Sequence, residues 1–168
     1  MDIDMNGLGS QYIKRSFESL TDDLEFLFER LNEPVCLAAV LIDGPNTAIS
    51  SDLLRKTCDA LPIRYSEYLL PQNIGLDKVV ALIESLNREK DIHGLIIEVP
   101  SSLESKLNLL YDHISPQKNI RLNDEDYHKI ERFVLDPHEK DILGILIMLE
   151  KTFNTAVDQI AKQRGNTK

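Results

Sequence analysis

The chain is poor in the features that most quickly place a protein in a class. Its 168 residues hold two cysteines, too few for a disulfide framework, and their spacing does not suit a zinc site. Cys36 falls in an expected strand and Cys58 in an expected helix, so both read as buried, reduced thiols that pack as small hydrophobes. Positive charge is scarce: 19 Lys and Arg against 28 Asp and Glu give a net charge of -9. Such a surface disfavours nucleic acid and anionic lipid, since both need clustered bases. Long apolar runs are missing, and the longest in the last third, ILGILIML, falls far short of the roughly 20 residues that span a bilayer. No Gly-x-Gly-x-x-Gly fingerprint and no Gly-x-Ser-x-Gly elbow occurs. The histidines, His93, His113, His128 and His138, share no ligand spacing, and His93 lies inside an expected strand as a buried, satisfied side chain. No metal and no resident cofactor is therefore expected. The opening MDIDMNGLGSQY is polar and acidic, unlike a secretory signal or an Arg-rich transit peptide, which leaves a soluble intracellular protein as the expectation.

What is present is a hydrophobic fraction of 42%, enough for a real core, and an alternation of strands and helices. After a loose lead-in over 1–9, Ile13, Phe17, Leu20, Leu24, Phe28 and Leu31 recur at steps of three and four, which predicts a helix over 10–31. Asn32 and Pro34 stop it. The nearly unbroken apolar run Val35–Ile42 suits a strand covered on both faces. It breaks at Asp43-Gly44-Pro45 and feeds a helix over 48–60. Strands over 63–70 and 92–99 alternate with helices over 75–89 and 102–111, the last capped by Ser102. Residues 112–136 read as a charged loop with one helical turn near 124–131, and a final helix runs over 138–163, followed by a polar tail over 164–168. This alternation predicts one α/β domain over 10–163: three layers, built of βαβ units, around a small, mostly parallel sheet. Between 142 and 149 the last helix is apolar almost all round. Something must cover Ile142, Ile145, Leu146, Leu149 and Phe153, and they form the candidate interface for a protein partner or a second copy.

Residues 35–153 resemble the N-terminal domain of the methylenetetrahydrofolate dehydrogenase/cyclohydrolase family. The resemblance rests on the strand VCLAAVLI, the turn DGP, the runs KTCDALPI and YLLP, the strand IHGLIIEVP, ISPQKNI and a late GILIMLEK, in that order. It implies an aminoacid-dehydrogenase-like N-terminal domain with a long C-terminal helix. It also implies a Tyr-x-x-x-Lys pair on the helix after the first strand, which does the proton work of the cyclohydrolase step, and a supporting glutamine at the end of the third strand. An aspartate would contact the folate ring, and a separate Rossmann-type domain would bind the nicotinamide cofactor. At those positions this sequence has Ser50 for the tyrosine, Leu54 for the lysine, Glu98 for the glutamine and about Arg121 for the aspartate. The Pro-Cys-Thr-Pro-x-Gly stretch appears as residues 139–144, Glu-Lys-Asp-Ile-Leu-Gly, and a cofactor domain is not expected within these residues.

A neighbour does not rescue the chemistry. Each helical residue turns the side chain by about 100°, so Lys56, two past Leu54, points nearly the opposite way. Arg55 stays protonated and cannot be a base. Both read as a solvated helix face. Glu98 and Arg121 are expected to pair and fill space a ligand once used. The functional expectation is a catalytically inactive relative acting as a scaffold or accessory subunit through protein contacts. Two alternatives stay open: a non-catalytic module that binds folate or another small metabolite, and a residual cyclohydrolase or a hydrolase using Glu98.

Overall fold

The computed structural model describes residues 8–165. The expected lead-in and tail fall mostly outside that span. Where they overlap it, the chain is already helical: α1 (Leu8–Leu31) starts at Leu8, and the last helix reaches Gly165. Asn32 ends α1 in the left-handed conformation, φ 57°, its N–H bonding the Phe28 carbonyl at 2.9 Å. Asparagine tolerates that conformation better than most residues, so it serves as the stop.

Strand β1 (Val35–Ile42) leads through α2 (Thr47–Asp59) to β2 (Ile63–Leu70), then through α3 (Leu76–Asn87) to β3 (Gly94–Glu98). The sheet has the order β2-β1-β3 and is parallel throughout, with Leu37 opposite Tyr65 on one side and Gly94 on the other. Its central strand explains the unbroken apolar run: every residue of β1 is buried. Val35, Leu37, Ala39 and Leu41 point into one core with side chains of α1, α2 and the last helix, while Cys36, Ala38, Val40 and Ile42 point into another with α3. These are the three expected layers. β3 is shorter than expected, because Ile92 and His93 precede the ladder.

After β3 the chain makes a 3-10 turn over Ser101–Lys106 before α4 (Leu107–Asp112). The expected loop holds more structure than one turn. A 3-10 turn over Pro116–Lys118 precedes α5 (Asp124–Glu131), which is fixed by a capping box between Asn123 and Asp126. The final helix, α6, spans Pro137–Gly165 and crosses both α1 and the sheet. Gly94 permits that crossing, since a Cβ there would lie 2.9 Å from Thr152 Cγ2.

The candidate interface on α6 is corrected by this packing. Ile142, Ile145, Leu146 and Leu149 are at most 6% exposed and belong to the core with Ile13, Leu20 and Leu24 of α1, and Phe153 packs against the same cluster half-buried. The chain itself covers the stripe. Among the described residues, no helix is long and apolar enough to cross a membrane.

Candidate functional site

In an open parallel sheet the place for a site is the carboxyl end of the strands where the strand order reverses. Here β1 leaves for β2 on one side while β3 lies on the other, so that point is the gap between the ends of β1 and β3. Two adjoining cavities open there, of about 450 and 320 Å³, and both are lined by Ser50 and Glu98. Their lips approach closely: a Cβ on Gly44 would lie 2.7 Å from Pro100 Cβ.

Three of the four positions drawn from the resemblance meet in the larger cavity. Ser50 and Leu54 come from one face of α2, and Glu98 from the last residue of β3. Leu54 is 2% exposed and forms wall, so the position of the expected amine is hydrocarbon. Lys56 points away and pairs with Asp52 at 3.0 Å, and Arg55 pairs with Glu67 of β2 at 2.5 Å. Neither lines this cavity, as the helical geometry predicts.

Arg121 does not join the cleft, and the expected Glu98–Arg121 pair does not form. The Arg121 guanidinium bonds Asn108 Oδ1 at 2.7 Å and lies 4.5 Å over the Tyr111 ring. Strand alternation is the reason. Glu98 shares a face with Ile96, whereas Tyr111 packs in the opposite core, its hydroxyl donating to the Ile97 carbonyl and accepting the Ile97 N–H, both at 3.1 Å.

Glu98 is half-buried, and burial, reinforced by the nearby Asp141 charge, raises its carboxyl above the ordinary glutamate value. The neighbouring Ser50 hydroxyl favours the anion and offsets part of that rise. Among the described residues, no ion pair reaches Glu98.

Sequence reasoning missed the far wall: Tyr127 and Glu131 from α5, and Lys140 and Asp141 from α6. Lys151 orients α5 by bonding Asp126 Oδ2 at 2.5 Å and the Arg121 carbonyl at 3.1 Å. The start of α6 is held by Glu139, whose carboxylate accepts the Asp136 N–H at 3.1 Å and the Ser10 hydroxyl. The capping pattern Asn-x-x-Asp at 123–126 was the available signal for α5. Among the described residues, no group of three His, Cys, Asp or Glu side chains could hold a metal ion.

The switch point of a parallel α/β sheet is where small-molecule sites commonly form in this class of domain. The chain belongs to the tetrahydrofolate dehydrogenase/cyclohydrolase family, matching its catalytic domain over residues 8–121. Among curated proteins, the bifunctional protein FolD of Methanosarcina mazei is 34% identical over 83 residues, which are 49% of this chain and 26% of the relative. That of Clostridium tetani is 28% identical over 112 residues, 64% of this chain and 40% of the relative. The chain thus spans well under half the length of these relatives. Among solved structures, a Trypanosoma brucei methylenetetrahydrofolate dehydrogenase-cyclohydrolase, complexed with NADP cofactor and inhibitor, superposes with a TM-score of 0.61 at 19% identity, covering 73% of this chain and 42% of that one. The NAD-dependent 5,10-methylenetetrahydrofolate dehydrogenase of Saccharomyces cerevisiae gives 0.60 at 17% identity, covering 78% and 42%. At these identities the structures establish the fold. The far wall of the cleft lies beyond residue 121, where the catalytic-domain match ends.

Proposed function

We propose that this chain is a catalytically silent member of the family whose switch-point cleft binds a small ligand without turning it over. One observation carries the reading: the position that should present the proton-transferring amine is Leu54, 2% exposed in the cleft wall. A general base must come within about 3 Å of the proton it takes. The nearest residues of the same helix with basic side chains, Arg55 and Lys56, are engaged elsewhere. Lys140, on the opposite wall, sits 3.9 Å from Glu131. The cleft itself remains open, which favours binding over an empty relic. The purified chain is expected to hydrolyse 5,10-methenyltetrahydrofolate no faster than a heat-killed control. Saturable turnover that Glu98→Gln removes would instead support a residual hydrolase.

A second reading, an accessory subunit held by a partner or a second copy, loses the support of the α6 stripe but gains another. β2 is an edge strand eight residues long, with Leu69 62% exposed, and an unpaired edge is a template for another chain. Light scattering on the purified chain tests self-association directly: a mass of one chain across the micromolar range counts against a second copy.

A further inference from the structure

We propose that the cleft beside Glu98 receives a small organic cation with an apolar body, its charge held between the Glu98 and Asp141 carboxylates. This rests on the ligand-cleft reading above and names the chemistry of the occupant. The cavity, about 450 Å³, lies within the range of about 300–1,000 Å³ typical of small-molecule sites. Leu53 and Leu54 of α2, Ile130 of α5, and Ile145 and Met148 of α6 supply the apolar wall.

The charge of the lining decides the sign of the ligand. Three acids, Glu98, Glu131 and Asp141, face one base, Lys140. Lys140 is already beside Glu131, at 3.9 Å, which leaves Glu98 and Asp141 without a cation among the described ion pairs. Arg121, the cation the sequence offered to Glu98, is anchored on Asn108 and Tyr111. An anionic ligand would meet two carboxylates with no paired cation, the half-buried Glu98, where Coulomb terms are several-fold larger than in bulk water, and Asp141 at the exposed rim. A cation supplies the charge that burial and Asp141 leave wanting at Glu98. Asp141, Glu131, Lys140 and Tyr127 all lie beyond residue 121, and where the sequence resembles the family's Pro-Cys-Thr-Pro-x-Gly stretch Lys140 and Asp141 stand in place of its neutral Cys and Thr.

The test uses benzamidinium, a flat apolar ring carrying a fixed cation, with benzoate as its anionic counterpart and tetrahydrofolate as the family-type ligand. Titration calorimetry on the full chain is expected to show saturable benzamidinium binding and no benzoate binding. Glu98→Gln should weaken benzamidinium at least tenfold and Asp141→Asn several-fold. The melting temperatures of both variants without ligand confirm that they fold, and Asp141 is exposed enough for its substitution to be tolerated. Binding of benzoate or tetrahydrofolate without benzamidinium overturns the cation and leaves the ligand cleft standing. Benzamidinium binding unchanged in Glu98→Gln also overturns the proposal, because the cation would then sit elsewhere. Failure of all three probes to bind overturns the ligand-cleft reading as well.

Discussion

The two ends of the sheet handle buried polar groups in opposite ways. At the amino end, Lys118 is 5% exposed, yet its ammonium donates to the carbonyls of Leu86, Asn87 and Glu89 at 2.6–3.0 Å. Those carbonyls lie at and just past the end of α3; Leu86 and Glu89 also accept the Glu89 and Ile92 N–H groups, so the cation adds a second donor to two of them and serves Asn87 as well. His93 beside it is 4% exposed and accepts the Cys36 N–H on Nδ1 at 3.0 Å, while its own N–H bonds the Cys36 carbonyl at 3.0 Å. Asn87 adds two bonds, to the His113 carbonyl at 2.8 Å and from the Ser115 N–H at 3.0 Å. At the carboxyl end, Glu98 lines an open cavity, and among the described residues no ion pair reaches it. A buried polar group closed off by the backbone is a structural part. One left facing a cavity is available to a ligand. The fold spends its polar satisfaction at one end and leaves the other unfinished.

Substitutions at the closed end should cost the most. Lys118→Met removes three charge-assisted hydrogen bonds from a buried site, and the chain should lose roughly 3–5 kcal/mol in urea unfolding. A loss under about 1 kcal/mol would mean that water serves those groups as well and that the ends do not differ.

The next effect is on pH. Burial, with a smaller push from Lys118, lowers His93 to about 4 from an ordinary 6.5. Between those values the unfolded chain binds the proton more readily, so stability falls as pH drops from about 6.5 to about 4. The loss should be on the order of 3 kcal/mol, since one pKa unit is about 1.4 kcal/mol. His93→Gln should flatten that part of the stability profile; an unchanged slope would assign it to other groups.

The smallest effect belongs to the open end. A carboxyl raised in the folded state destabilises it once ionised, so stability falls as pH rises through that window. Glu98→Gln should therefore leave the chain as stable as the parent at neutral pH, or up to about 1 kcal/mol more stable. A loss above about 2 kcal/mol would show that Glu98 holds the fold together.

The elements of the sheet were legible because their physics is local. Burial on both faces writes an unbroken apolar run into β1, and amphipathic spacing writes α1, α2 and α3. The register of Ser50 and Leu54 on α2 was legible for the same reason, since the helical period alone puts them on one face. The far wall was not. Tyr127 and Asp141 enter the cleft because α5 and α6 pack over it, a matter of long-range contact that no window of sequence carries. The Glu98–Arg121 pairing failed through the same blindness: which side of β3 Arg121 occupies depends on Tyr111, bonded to β3 from the opposite core. The α6 stripe was correctly seen to need cover, but α1 lies over 100 residues away in sequence and supplies it.

The central claim is that no amine pairs with the carboxylate at the end of β3. An NMR titration of the Glu98 side-chain carboxyl, assigned by comparison with Glu98→Gln, measures this directly. The account predicts a midpoint above the ordinary glutamate range, as burial and Asp141 dictate without a cation. A midpoint below that range would place an ammonium at its side, as a working proton-transfer site requires, and would contradict it.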